Sequence, residues 1–299
     1  MTDHKDVNLR LVWPQWQGAG SSSVRLFASE FPFDVARRSY AVGSAVLEAV
    51  LPPHDGPTAT VPVTMTDEGT ELVDGVESKA VLVEQLASAL EVIREHGPAR
   101  ITTLGGECSV SVAPFAELAR RYGDDLAVVW IDSHPDIDTP ETAYEGYHAM
   151  AVSALIGQGD PDVLKLLPAT VSPDRVALVG LHSWQPDVFP KIAEWGLKTF
   201  APDELRESSQ PLLDWLAATG CSRLAIHFDV DTVDSNEIVL GLGPEPDGLT
   251  SGEVRRVVAD LDEAGDVVAF TIAEFIPRQV IHLQQILKGL PLVSGAGAD

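Results

Sequence analysis

Val128-Val129-Trp130-Ile131-Asp132-Ser133-His134-Pro135-Asp136 begins as an apolar run and ends in three ionisable side chains. The run, rich in β-branched residues, predicts a strand buried on both faces, of the kind parallel sheets place at their centre. Ser133 and Pro135 break it. Asp132, His134 and Asp136, spaced two apart at the strand's C-terminal end, then stand where open α/β sheets bind their ligands. A polar loop with a capping Asp is the plainer alternative for this segment taken alone.

A second stretch argues against that alternative. Leu224-Ala225-Ile226-His227-Phe228-Asp229-Val230-Asp231 is another apolar strand that ends in carboxylates. Residues two apart on a strand share a face, so Asp229 and Asp231 project together. Buried carboxylates repel one another unless a cation neutralises them. Two such strand ends point to a bound cation, and to more than one. His227 shares the face of Asp229 but lies two residues deeper, which reads as a core histidine rather than a ligand.

The chain has 299 residues, 45% of them hydrophobic, ample for one large core. Its formal charge of −25 argues against nucleic acid, whose phosphates need Lys and Arg partners. Most of that charge reads as solubility, with a modest bias towards cationic substrates. Cys108 and Cys221 are the two cysteines, so no disulfide framework is implied. The opening residues, MTDHKDVNLR, contain no apolar signal core, and no run reaches the roughly 18 apolar residues of a membrane span. The expectation is a cytoplasmic protein with no membrane partner.

Outside the two central strands, helix and strand patterns alternate from end to end. Asn8 to Trp13, Ala59 to Val63, Arg100 to Leu104, Arg175 to Gly180, Leu197 to Phe200 and Val267 to Ile272 read as strands. Asp34 to Val50, Glu77 to His96, Val112 to Arg121, Tyr147 to Ile156, Pro186 to Trp195 and Asp203 to Thr219 read as helices, several closed by Gly. Thr250-Ser251-Gly252-Glu253 opens another helix with a capping box, and residues 278–289 form the last. No linker-like break or internal repeat interrupts the order. A single domain over 1–299 follows, a three-layer α/β/α sandwich with a mostly parallel sheet.

Gly105-Gly106-Glu107-Cys108-Ser109, Asp132-Ser133-His134-Pro135-Asp136 and Asp229-Val230-Asp231 resemble, in order and spacing, the three metal motifs of the arginase/agmatinase (ureohydrolase) family: GGDHS, DAHxD and SxDxDxxDP. Asp136-Ile137-Asp138-Thr139-Pro140-Glu141-Thr142 is similar to the family's DINTPxT segment, and Gly146-Tyr147-His148-Ala149-Met150 to GNxHGM. Glu274 follows the last strand as in the family. The resemblance implies an eight-stranded parallel sheet and two divalent metal ions, Mn²⁺ in the family. One ion would be held by Cys108, Asp132, Asp136 and Asp229, the other by Asp132, His134, Asp229 and Asp231. It also implies catalytic roles for His148, Asp136 and Glu274, with His148 as proton shuttle and Glu274 as the partner of a guanidinium. A homo-oligomer, trimer or hexamer, is the family's habit.

Three departures qualify the resemblance. Cys108 stands where most of the family has His, and a soft thiolate favours Zn²⁺, Co²⁺ or Fe²⁺ over Mn²⁺. The same replacement, within a similar CSVS string, occurs in the enzyme of cycloserine biosynthesis that hydrolyses N-omega-hydroxy-arginine to hydroxyurea. A buried cysteine that binds nothing is the plainer reading. Asp138 stands where arginases bind the amino-acid carboxylate through Asn, and Glu145 close to where they use Ser; both would repel a substrate carboxylate. Ser235 replaces a loop proline. His182, at a strand end, is a candidate to line the pocket, whereas His4, His54, His96 and His282 read as surface or helix-end residues. The expected activity is metal-dependent hydrolysis of a C–N bond in a small cationic guanidino compound, agmatine-like rather than arginine, to urea and an amine. A hydroxyguanidine or formimidoyl amidinohydrolase, or a non-catalytic metal-binding protein of the same fold, is the alternative.

Overall fold

The computed structural model describes residues 7–293, so His4 lies outside the described residues. The strands are β1 (Asn8–Trp13), β2 (Thr58–Thr60), β3 (Leu72–Val73), β4 (Val76–Glu77), β5 (Arg100–Gly105), β6 (Leu126–Ile131), β7 (Val176–Val179), β8 (Lys198–Phe200), β9 (Arg223–Asp229) and β10 (Asp266–Ala273). Only β3 and β4 stand apart, as a small antiparallel ribbon. The other eight form one sheet in the order β2-β1-β5-β10-β9-β6-β7-β8. Every pair in it is parallel. Each parallel return requires a crossover, which is why helices alternate with strands and cover both faces.

The central strand shows how the sequence specifies this. All of β6 is buried. Leu126, Val128 and Trp130 join a core that includes Leu82, Phe115 and Val152 from the helices Lys79–His96, Val112–Tyr122 and Ala151–Leu155. Ala127, Val129 and Ile131 join the opposite core with Leu47, Leu212, Val254 and Leu283, from the helices Ser39–Val50, Gln210–Thr219, Ser251–Ala264 and Val280–Leu287. A strand with a core on each side has no polar face, so its sequence is continuously apolar. The three-layer sandwich expected from the alternation is the one observed.

Several element ends differ from the sequence reading, for local reasons. The strand expected over Ala59 to Val63 is paired only at Thr58–Thr60; Val61 N still donates to Val12 O at 2.9 Å, and Pro62 then has no N–H to continue. The helix expected over Asp34 to Val50 is two, Phe33–Ala36 and Ser39–Val50, because Ser39 Oγ donates to Ala36 O at 2.6 Å and closes the first. Asp203 to Thr219 likewise splits into Pro202–Leu205 and Gln210–Thr219, with Pro211 confined to the first turn of the second.

The strand order has a functional consequence. The chain builds from β1 to β5, leaps across to β6, and fills the gap with β9 and β10 only much later. The C-terminal ends of β5, β10, β9 and β6 therefore lie side by side at a topological switch point, the preferred position for a ligand site.

Ile226, fully buried in β9, tests the packing. Ile226→Ala should lower the unfolding free energy by about 2–5 kcal/mol, measured by urea denaturation; a loss below about 1 kcal/mol would mean the face is not close-packed.

Candidate functional site

Each of those four strands delivers one side chain to the same place. β5 runs into a 3₁₀ turn, Cys108–Ser111, that begins with the thiol. Asp132 follows the last residue of β6, Asp229 ends β9, and Glu274 follows the last residue of β10. Register aligns them: Ile131 is opposite Phe228, and Ala273 opposite Asp229. Two details hold the thiol in position. A Cβ at Gly106 would overlap the Gln15 carbonyl oxygen, so the turn must have glycine there. Buried Glu107 accepts from Ser109 N at 2.8 Å and closes the turn behind Cys108.

Among the described residues, three sets bring potential metal donors within 4.8 Å of one another: Cys108, Asp132, His227 and Asp229; Asp132, His134 and Asp231; and Cys108, His148 and Glu274. Cys108 Sγ lies 3.0 Å from Asp229 Oδ2 and 3.7 Å from Glu274 Oε1. His134 Nδ1 lies 3.3 Å from Asp231 Oδ2 and 3.5 Å from Asp132 Oδ1. Ser133 Oγ donates to Asp231 Oδ1 at 2.6 Å, and Trp130 Nε1 to Asp132 Oδ2 at 3.0 Å. Asp136 joins none of these sets, but its backbone is held at φ +49°, it borders the pocket, and its Oδ2 is buried without a partner.

The electrostatics describe a site short of positive charge. Burial, then Asp132, push the Asp136 carboxyl well above the ordinary range; burial, then Asp231 and Asp132, do the same to Asp229. Burial, then Asp229, push the Cys108 thiol up. Burial opposes protonation of His134, but Asp231 and Asp132 overcome it and hold the imidazolium. His227, sealed in the core, is instead pushed down to about 3 by burial. Crowded carboxylates, a thiol, two imidazoles and an unpartnered buried oxygen form a donor set that fits divalent cations.

Beside these donors lies a cavity of about 190 Å³. Asp136, Asp138, Asp229, Asp231, Glu245 and Glu274 line it, and among the described residues no Lys or Arg does. Asp138 is buried, with Oδ1 unpartnered. Glu145 is exposed and is not part of the lining; His182, whose Nδ1 lies 2.6 Å from Gly180 O, is not part of it either. His148 stands between two neighbours, with Nδ1 3.3 Å from Glu274 Oε1 and Nε2 2.7 Å from the Tyr144 hydroxyl. Burial disfavours its protonation, yet Tyr144 and Glu274 raise it well above an ordinary histidine. Sequence reasoning missed Tyr40, Tyr144 and Glu245, all of which line the cavity. Glu245 had a signal, since it sits in the Gly/Pro-rich loop after the β9 carboxylates, and its Oε1 lies 3.4 Å from His134 Nε2.

Residues 38–286 match the arginase family model. The chain is similar to the arginase of Eremothecium gossypii, 25% identical over 71% of this chain and 56% of that protein. It is similar also to the arginase of Bacillus subtilis, 29% identical over 58% of this chain and 59% of that one. The matches thus span less than two thirds of these relatives. In fold it resembles the Entamoeba histolytica arginase solved with L-ornithine, with a TM-score of 0.73 at 17% identity, over 96% of this chain and all of the other.

Two outcomes test the donor set. Mn²⁺, Co²⁺ or Zn²⁺ at 100 times its Kd should add about 2.7 kcal/mol to the stability of chelator-treated protein, read as a rise in Tm. Asp132→Asn and Asp229→Asn should each abolish that rise, whereas full metal content in either variant, measured by elemental analysis, would sink the shared role of these carboxylates. Cys108→His should raise Mn²⁺ affinity, because imidazole suits that ion better than thiolate does; unchanged affinity in a titration would show that Cys108 binds no metal.

Proposed function

Since the chain belongs to the arginase family, we propose that it is a binuclear metal amidinohydrolase that splits a C–N bond of a small cationic guanidino compound into urea and an amine. The observation that carries the substrate class is the cavity lining beyond the metal donors, where Asp138, Glu245 and Glu274 stand with no described Lys or Arg. A planar cation is attracted there, and a free carboxylate is not.

Bound divalent cations would supply an acidified, oriented water and charge stabilisation at the guanidinium carbon. Asp132, Asp136, Asp229, Asp231, His134 and Cys108 are the residues that would hold them. The remaining chemistry belongs to the chain's own groups. Glu274 faces the cavity from the end of β10 and accepts hydrogen bonds from the guanidinium N–H groups, which fixes the plane of the substrate. As the C–N bond breaks, the leaving nitrogen needs a proton. His148 holds one, with Glu274 at Nδ1 and Tyr144 at Nε2, and is the general acid. Tyr144 aims the ring, and its own hydroxyl accepts from Gly20 N at 3.2 Å. The loop carrying Leu242 and Glu245 also lines the cavity.

Asp138 decides between substrates with and without an α-carboxylate. Two carboxylates about 4 Å apart repel by about 4 kcal/mol at an effective dielectric near 20. Half of that exceeds a tenfold effect on binding.

Urea release should therefore favour agmatine over L-arginine by more than tenfold in kcat/KM, and Asp138→Asn should narrow that ratio. A wild-type preference for arginine would remove the carboxylate argument and leave the metal donors untouched. His148→Asn should cut kcat by about 10²–10⁴ while metal content stays constant; full turnover in that variant would exclude His148 as the acid. If no guanidine in a panel releases urea while formimidoyl or hydroxyguanidine compounds are cleaved, the substrate assignment moves to those groups.

A further inference from the structure

His227 is fully buried in the middle of the sheet, and its Nε2 has no hydrogen-bond partner. Its other nitrogen, Nδ1, lies 2.7 Å from Ser111 Oγ. The ring is clamped face to face on Trp130, with centroids 3.6 Å apart and planes 6° from parallel. Register explains the pairing, because Trp130 and His227 are directly opposite on β6 and β9. A core histidine kept only for packing would be expected to find a partner for both nitrogens. This one has a single partner, and the donor set it belongs to contains Cys108, Asp132 and Asp229, all within 4.8 Å of one another.

We propose that His227 is a metal ligand, and that Cys108, Asp132, His227 and Asp229 form a sulfur–nitrogen–oxygen site for a borderline-soft divalent cation such as Zn²⁺ or Co²⁺. The proposal rests on the reading of this region as a metal centre and changes which residues make it. Three features support it. His227 and Asp229 are two apart on β9 and so share a face. Ser111 Oγ, 2.7 Å from Nδ1, is placed to accept from Nδ1–H in the tautomer that leaves a lone pair on Nε2; ligating histidines commonly have such a second partner. The Trp130 indole orients two donors at once, stacking on the His227 ring and donating through Nε1 to Asp132 Oδ2. One thiolate, one imidazole and two carboxylates match the tetrahedral mixed-donor sets that Zn²⁺ accepts and that hard Mn²⁺ does not prefer. Ser111 and Trp130 are positioning residues in this scheme.

The test is a Co²⁺ titration of the chelator-treated full-length protein, followed by absorption. Wild type should show a near-ultraviolet thiolate-to-cobalt band together with intense visible bands of a tetrahedral ion. His227→Phe retains a ring against Trp130 and should weaken Co²⁺ binding about 100-fold and flatten the visible bands. Because that variant could lose its fold, a second measurement uses wild type alone. With ¹¹³Cd and ¹⁵N-histidine labelling, the cadmium that shows a thiolate shift should couple to one imidazole nitrogen, and that coupling should be assigned to His227. A thiolate band in wild type with unchanged affinity and spectrum in His227→Phe, or no imidazole coupling to the thiolate-bound cadmium, would overturn the proposal while leaving the metal centre standing. Absence of any thiolate band in wild type would overturn both.

Discussion

Buried negative charge at the ends of neighbouring strands is the constraint on which the rest of this structure depends. Asp132, Asp136, Asp229 and Glu274 are each at most 5% exposed and converge from three different strands. Pairs of like charges at about 4 Å cost about 4 kcal/mol each even at an effective dielectric of 20. Without relief, the carboxyls retain protons, which is the direction in which burial and mutual repulsion push Asp136 and Asp229. A divalent cation removes that conflict, so the fold and the metal donors are parts of one electrostatic arrangement.

The sheet makes the arrangement affordable. Buried strands hold the donors at fixed register, and neighbouring polar groups support several of them. Trp130 supports Asp132, Ser133 supports Asp231, and Glu107 closes the turn behind Cys108. Two of the six described non-glycine residues with positive φ border the cavity. Asp136 and Glu274 both occupy the left-handed backbone region, at φ +49° and +61°. Non-glycine residues adopt that conformation at a cost that the surroundings must offset. Both side chains border the cavity.

The cavity carries the same sign of charge beyond the donors. The candidate metal donors Asp136, Asp229 and Asp231 line it together with Asp138, Glu245 and Glu274. Phe27, Trp184 and Leu242 add apolar surface to the lining. His148 stands among these acids, its protonation favoured by Tyr144 and Glu274 against the effect of burial. A proton donor inside an acidic pocket retains its proton more readily than one in water.

Much of this was legible in the sequence. The apolar run of β6 announced a strand buried on both faces, alternation announced the parallel sheet, and spacing of two announced which carboxylates share a face. Those are properties of periodicity, which one segment carries by itself. What the segment cannot carry is its neighbour. Cys108 and Asp229, 121 positions apart, meet because β9 and β10 are inserted between β5 and β6. Glu145, beside His148 in sequence, is exposed, while Glu245 arrives from a distant loop to face His134. His227 reads as packing from its own strand, and only the tertiary structure, which sets it against Trp130, brings it among candidate metal donors with Nε2 unpartnered. Sequence alone determined which residues point inward and with what chemistry; the order of strands, fixed by crossovers and core packing over the whole chain, decided which of them touch.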